Sequence, residues 1–284
     1  MVSILTPSYN QAAWLPDNLS SVACQTYTRV EHIVMDGGST DGSLQILEAA
    51  SDSIVWASEP DTGQADAVNK AFARSHGEII GWINSDDAYF DCRVIAEVVA
   101  FFSAHPEVDV AYGHCLQITA DGAIIQVLWA PPFDAGLWKA LNPQMQPATF
   151  VRRSALSEPM LDDSFHFALD YELWLRLASQ GHRFGRIGRI LAIDRHHLER
   201  KSATRKDVNF ADLDRLGPMY DLHLGAEYEP QRARFYRKQR LMGALLIPRI
   251  RADKVAFTAS PNFKAGLWKR QVGSRRRDWP EELR

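Results

Sequence analysis

Residues 79–87, IIGWINSDD, decide the fold. The run IIGWI is short, apolar and aromatic, which predicts a buried strand. It stops at Asn84-Ser85-Asp86-Asp87. Adjacent carboxylates after so apolar a strand are costly for packing, because crowded and poorly solvated negative charge is unfavourable. Two readings compete. One is an exposed turn whose aspartates cap the next helix. The other is an oxygen-rich site for a hard divalent cation, which would in turn hold a diphosphate.

The same pattern repeats on the N-terminal side. Residues 2–6, 31–35 and 54–57 are further short apolar runs, and each predicts a buried strand. Residues 14–24, 43–50, 64–75 and 93–103 have helical spacing. Strand and helix therefore alternate four times, which implies a Rossmann-type parallel sheet with helices on both faces. Ligands bind such sheets at the carboxyl ends of the strands. Three of those ends carry polar clusters: TPSYN at 6–10, DGGSTDG at 36–42 and NSDD at 84–87.

Farther along, strands are expected at 108–112 and 124–129, around Ala120-Asp121-Gly122, and at 146–151. Residues 170–179 predict an amphipathic helix closed by Gly181. Residues 184–193 predict one or two strands. Beyond about residue 200 the chain reads as helical and basic, broken at Pro218, Pro230, Pro248 and Pro261.

The chain of 284 residues is 46% hydrophobic and 24% charged, which excludes disorder, collagen and coiled coil as whole-chain descriptions. A net charge of −3 argues against a uniformly basic nucleic-acid binder. That small sum hides an asymmetry. Residues 1–199 hold 12 Lys/Arg against 25 Asp/Glu, or −13, and residues 200–284 hold 20 against 10, or +10. No apolar run approaches the length of a membrane span, and the first residues lack the pattern of a signal peptide. Cys24, Cys92 and Cys115 are scattered without metal-ligand spacing and read as reduced thiols.

Several residues carry candidate chemistry. DGGSTDG lacks the spacing of a P-loop or of the dinucleotide fingerprint, so Asp36 reads instead as a hydrogen-bond acceptor for a base or ribose, and Asp41 as an N-cap. Asp170 and Glu172 open the amphipathic helix, where acidic residues complement the helix dipole. A general base is the alternative, and their spacing puts them on different faces; Asp170, nearer the loop, is the chosen candidate. Arg195-His196-His197 follows an apolar strand, so the two imidazoles point opposite ways and only one can reach Asp86.

Together these motifs resemble the inverting family 2 glycosyltransferases with the GT-A fold. The carrying residues are TPSYNQ (6–11), VMDGGSTDGS (34–43), EPDTGQADAVNKAF (59–72), IIGWINSDD (79–87), QPATFVRR (146–153) and LDYELWLRLA (169–178). The resemblance implies a GT-A-like catalytic domain over 1–204, with a nucleotide-sugar half at 1–104 and an acceptor half at 105–204, followed by a basic helical extension over 205–284. It implies donor contacts from Pro7, Tyr9, Asn10, Asp36, Asp61, Asp66, Asn84, Ser85 and Asp87. NSDD stands where the family has its D-x-D metal motif, with Asn84 replacing the first Asp. Asp86 and His197 then match ligands of Mn²⁺ or Mg²⁺, with His196 as the alternative to His197. Asp170 matches the catalytic base, with Glu172 as runner-up because Leu169 replaces an acidic residue often found there.

The implied donor is a nucleoside-diphosphate sugar, UDP by default, and the implied acceptor a saccharide or lipid-linked saccharide of surface polysaccharide synthesis. A sugar nucleotidyltransferase would need Arg and Lys in a Gly-rich loop after the first strand, which TPSYNQAAW lacks. A non-catalytic glycan binder would not need both Asp86 and Asp170. Cytoplasmic localisation is expected, with no nucleic-acid partner and a homo-oligomer left open. Residues 263–279 interleave Phe263, Leu267, Trp268 and Trp279 with Lys264, Lys269, Arg270 and Arg275, Arg276 and Arg277, which reads as a segment for peripheral contact with an anionic membrane or, equally, for folding onto the acidic front or an oligomer partner.

Overall fold

A computed structural model describes residues 1–198, 200 and 206–252. The segment 263–279 lies outside the described residues. The N-terminal half alternates as read: β1 (Val2–Ser8), α1 (Leu15–Ala23), β2 (Val30–Asp36), α2 (Ser43–Ala49), β3 (Val55–Ser58), α3 (Gln64–Ala73) and β4 (Ile79–Trp82). These four strands pair in parallel in the order β3-β2-β1-β4. Register places Ser8 opposite Asp36 and Leu5 opposite Trp82, so the polar clusters gather at one edge.

The remaining elements extend that sheet. They are β5 (Ala88–Tyr89), α4 (Val94–Ala104), β6 (Val110–Thr119), β7 (Ile124–Leu128), α5 (Ala135–Ala140), β8 (Thr149–Arg152), α6 (Leu169–Ser179), β9 (Phe184–His196), α7 (Lys206–Tyr220) and α8 (Glu229–Ala252). The order continues β4-β8-β6-β9-β5, with β7 beside β6. Strand β8 runs antiparallel to both β4 and β6, whereas β9 is parallel to β6. Residues 184–196 form one strand, with register shifts near His114.

The two-residue strand β5 is too short for any pattern to announce. It pairs antiparallel with β9, Ala88 opposite Ile193 and Tyr89 opposite Ala192. That pairing carries the NSDD turn to the end of β9. Alternation along β1 explains the two-sided core. Ile4 joins Val94, Val98 and Phe102 of α4 on one face. Leu5 joins Val68 and Phe72 of α3 and Leu173 and Leu177 of α6 on the other.

Two expectations are corrected. Cys24 and Cys92 form a disulfide, and only Cys115 among the three is free and buried. The cysteines stand 68 residues apart, but the end of α1 and the turn after β5 meet through Thr26 N–H to the Cys92 carbonyl (2.7 Å) and Gln25 Nε2 to the Asp91 carbonyl (2.7 Å). The basic C-terminal helices are also less broken than the prolines imply. Pro218 sits inside α7, close to its end, and Pro230 opens α8, where a missing N–H costs little.

Gly81 is fixed by packing at the centre of the sheet. A Cβ there would lie 2.7 Å from Tyr89 Oη, 2.8 Å from the Phe150 ring and 2.9 Å from Ile4 Cδ1. G81A is expected to lose about 1–3 kcal/mol by overpacking, read as a lower urea midpoint at unchanged slope. An unchanged midpoint would contradict this packing.

Candidate active site

A cavity of about 980 Å³ opens at the carboxyl edge of the sheet, a size suited to a small-molecule ligand. Seven aspartates line it: Asp61, Asp66, Asp86, Asp87, Asp163, Asp170 and Asp194. Among the described lining residues Arg200 is the only Lys or Arg. Pro7, Tyr9, Asn84 and Ser85 also line it.

One wall comes from β1 and the start of α3. Tyr9 is 60% exposed. Gly37 permits a close approach behind it, since a Cβ there would meet Asp61 Oδ2 at 2.5 Å and the Tyr9 ring at 3.3 Å. Burial raises the Asp61 carboxyl above its ordinary range against a hydrogen bond from Gly63 N–H, and Asp66 and Asp36 add to the rise. Asp66 is held lower, chiefly by the Thr62 N–H (3.0 Å) and by Lys70 (3.2 Å).

Asn10 and Asp36 do not line the cavity. Asp36 accepts hydrogen bonds from Gly38 N–H (3.0 Å), Ser39 N–H (2.8 Å), Ser39 Oγ (2.5 Å) and Ser58 Oγ (2.8 Å). Asn10, in the left-handed region at φ 52°, donates its N–H to Ser39 Oγ and accepts from Thr40 N–H. Asp41 binds both Ala12 N–H and Ser43 N–H. The first two polar loops are thus clasped to each other, and Tyr9 rests on that clasp.

The NSDD turn forms the floor. The indole N–H of Trp82 can only donate, so its 3.0 Å partner on Asn84 is Oδ1, which also accepts from Gln64 Nε2 (2.7 Å). The Asn84 amide therefore turns its N–H₂ group away from those partners. Asp86 Oδ2 lies 3.0 Å from His197 Nε2, and the imidazole packs on Trp14 with ring centroids 5.2 Å apart. His197 sits behind Asp86 rather than on the cavity wall. His196 instead faces Asp194 at 3.3 Å, so the two imidazoles do diverge.

Buried charge organises this floor. Arg195, 4% exposed, donates Nη2 to Asp17 Oδ2 (2.7 Å) and Nε to the Asp86 carbonyl (3.3 Å), and lies 4.8 Å over the Trp14 ring. Its backbone N–H binds Asp87 Oδ1 (3.1 Å). Burial, then the neighbouring Asp86 and Asp194 charges, push the Asp87 carboxyl well above the carboxylate range. Burial pushes Asp194 the same way, but Arg200, His196 and Gln117 overcome it and hold that carboxyl below its ordinary range.

The opposite wall comes from the loop before β8 and the start of α6. Asp170 lines it, accepting from Tyr171 N–H (2.7 Å) and from Asn142 Nδ2 (3.2 Å). Glu172 is not brought to the cavity. It is 3% exposed, paired with Arg176 (3.0 Å), and accepts from the Tyr220 hydroxyl (2.7 Å). Sequence reasoning did not single out Gln64, Trp82, Asn142, Asp194 or Arg200. Two signals were present: Trp82 and Asn84 share a face by strand periodicity, and Asp194 interrupts an apolar strand.

Among the described residues no set of three His, Cys, Asp or Glu side chains is arranged to hold a metal ion. The Asp86 carboxylate and the His197 imidazole form a pair 3.0 Å apart. A sequence profile for glycosyl transferase family 2 matches residues 3–168. The chain belongs to this family. It is 35% identical over 114 residues to an uncharacterized glycosyltransferase of Mycobacterium tuberculosis, covering 39% of this chain and 44% of that protein. It is 33% identical over 117 residues to a PGL/p-HBAD biosynthesis glycosyltransferase of Mycobacterium bovis, covering 40% and 46%. The chain thus spans less than half the length of these curated relatives.

Its fold is that of GT-A glycosyltransferases. The structure of S. aureus TarS 1-349 in complex with UDP-GlcNAc aligns with a TM-score of 0.59 at 18% identity, over 81% of this chain and 69% of that one. The mannosyltransferase PcManGT from Pyrobaculum calidifontis, in complex with GDP-Man and Mn²⁺, aligns at 0.56 and 17%, over 93% and 76%.

The Arg195–Asp17 pair sets up a stability test. R195A leaves Asp17 buried without its ion-pair partner and is expected to cost about 3–5 kcal/mol. The double replacement D17L/R195M removes both charges and is expected to cost less, with urea unfolding as the measurement. A double variant no more stable than R195A would contradict the assignment.

Proposed function

We propose that this family 2 glycosyltransferase is an inverting, metal-dependent enzyme. It moves a sugar from a nucleoside-diphosphate sugar, UDP by default, to a hydroxyl of a saccharide or lipid-linked saccharide. The observation that carries the reading is the charge of the cavity as its described residues line it: seven aspartates against one arginine. A diphosphate has no reason to enter such a cavity alone, because like charges at these distances repel. A divalent cation reverses that balance.

The donor set fits such an ion. The Asp86 carboxylate offers the oxygen donor that Mg²⁺ favours, with the His197 imidazole 3.0 Å away. The mixed oxygen and nitrogen set suits Mn²⁺ as well. Asp86 and His197 would hold it, while Asp87, bonded to the Arg195 N–H, fixes the turn that carries Asp86. When bound, the cation supplies positive charge to the leaving diphosphate.

The chain's own residues do the rest. Pro7, Tyr9, Asp61 and Asp66 form the nucleotide side, and Asn84 and Ser85 face the sugar-diphosphate. Asp170 accepts the proton of the acceptor hydroxyl. The oxygen forms its bond to the anomeric carbon as the bond to the diphosphate breaks, so one displacement inverts the centre. Asn142 keeps one Asp170 oxygen oriented, leaving the carboxylate aimed at the acceptor.

A lipid-linked acceptor is supported by the PGL/p-HBAD relative and by α8. That helix exposes Arg234, Arg237 and Arg240 beside Leu241 and Leu245, and residues 230–252 contain no Asp or Glu. No helix among the described residues is long and apolar enough to cross a membrane. Peripheral contact with an anionic membrane, through this helix and the basic residues that follow, completes the reading.

Two variants assayed with a panel of nucleotide sugars test it. D170N should lose about 10²–10⁴-fold in transfer while its donor affinity holds. D86A should abolish the gain in nucleoside-diphosphate affinity that Mn²⁺ confers, measured by calorimetry with and without the ion. Transfer retained by both variants would refute the proposal.

A further inference from the structure

Helix α7 lies beyond residues 3–168, and the reaction proposed above makes no use of it. Its side chains nevertheless converge on one place. Asp212, 3% exposed, accepts three consecutive backbone N–H groups on a single Oδ2: His166 (3.0 Å), Phe167 (2.6 Å) and Ala168 (3.0 Å). Ala168 is the N-cap of α6 and offers no side-chain cap of its own. The start of a helix leaves N–H donors without intrahelical acceptors, and its dipole favours negative charge there. Asp212 meets one part of that need, the N–H of the N-cap residue Ala168, and with it fixes the two residues that lead into the helix, from 44 residues downstream.

Its neighbours on α7 grip the same segment. Arg215 donates to the Ser164 carbonyl (2.7 Å) and hydroxyl (2.9 Å) and lies 4.3 Å over the Phe165 ring. Leu216 is fully buried in the core that contains α6. Tyr220 donates its hydroxyl to Glu172 on α6 (2.7 Å). The segment so held carries Phe165, His166 and Phe167, and it leads directly into Leu169 and Asp170; all five line the cavity.

We propose that Asp212 is a positioning residue for the transfer reaction. By fixing the backbone of 166–168 it sets where the first turn of α6 begins, and hence where the Asp170 carboxylate points and how the acceptor wall is shaped. The inference rests on the reading of Asp170 as the base. A carboxylate suits the task because its negative charge strengthens all three bonds to Oδ2, whereas an amide oxygen is neutral. A boundary drawn at residue 204 would then divide the unit that performs the reaction.

The test compares Asp212→Ala and Asp212→Asn in the full chain. Leu47→Ala serves as a control for lost stability, since Leu47 is buried in a separate apolar cluster with Leu15, Leu19 and Val34. Asp212→Ala is expected to lower kcat by about tenfold to a hundredfold at saturating acceptor, as small misplacements of reacting groups do. The donor KM should stay within about twofold, because the nucleotide wall is untouched. Asp212→Asn should recover part of the rate, and amide exchange at 166–168 should quicken in Asp212→Ala. Leu47→Ala should keep its kcat per folded molecule.

A kcat for Asp212→Ala no lower than that of Leu47→Ala, per folded molecule, overturns the proposal. So does a donor KM that rises in step with the loss of rate. Asp170→Asn run alongside separates the two possible failures. Retained transfer there removes the base assignment itself, whereas lost transfer there with a normal kcat in Asp212→Ala removes only the positioning role.

Discussion

The buried guanidinium of Arg195 is the constraint on which the site depends. It is held between the Asp17 carboxylate on α1, the Asp86 carbonyl and the face of Trp14, and its own N–H holds Asp87. A buried charge is tolerated only when paired and hydrogen-bonded, so these partners are not interchangeable with solvent. The arrangement ties three distant parts of the chain together: the first helix, the turn after β4 and the end of β9. The short pairing of β5 with β9 delivers that turn to the arginine. Asn18 on α1 adds to that hold, donating Nδ2 to the Asn84 carbonyl (2.9 Å) and the Asp87 carbonyl (3.1 Å).

The two halves of the sheet divide the chemistry. The parallel half supplies the wall with Pro7, Tyr9, Asp61 and Asp66, where a backbone N–H and Lys70 hold Asp66 low and burial raises Asp61. The antiparallel half supplies the wall with Asn142 and Asp170, at the start of α6. Between them lies the floor of clustered carboxylates. Such a floor is poorly suited to an anionic ligand and well suited to a cation shared with one, which is why charge rather than shape carries the functional reading.

Much of this was legible in the sequence, for physical reasons that differ from residue to residue. The parallel half followed from apolar runs of strand length alternating with helical spacing, and the carboxyl-edge site followed from where the polar clusters fell. Helix periodicity separates Asp170 from Glu172, and nearness to the loop favours Asp170; the structure sets Asp170 on the cavity wall and buries Glu172 against Arg176 and Tyr220. Polar clusters at strand ends were ambiguous, because the same residue types that bind ligands also shape loops. Asn10 and Asp36, donor contacts by the resemblance, lie off the cavity wall and brace the loops behind Tyr9. Strand β5 has two residues and no period to detect. The Cys24–Cys92 disulfide and the hold of Asp212 on the residues entering α6 join positions far apart in sequence, where only the folded chain brings them together.

The central claim is a single displacement at the anomeric carbon with Asp170 as the base and no covalent nucleophile. Proton NMR of the first product, recorded before any mutarotation and read at the anomeric coupling constant, tests it most directly. The configuration opposite to that of the donor sugar is predicted. Retention of the donor's configuration would contradict it.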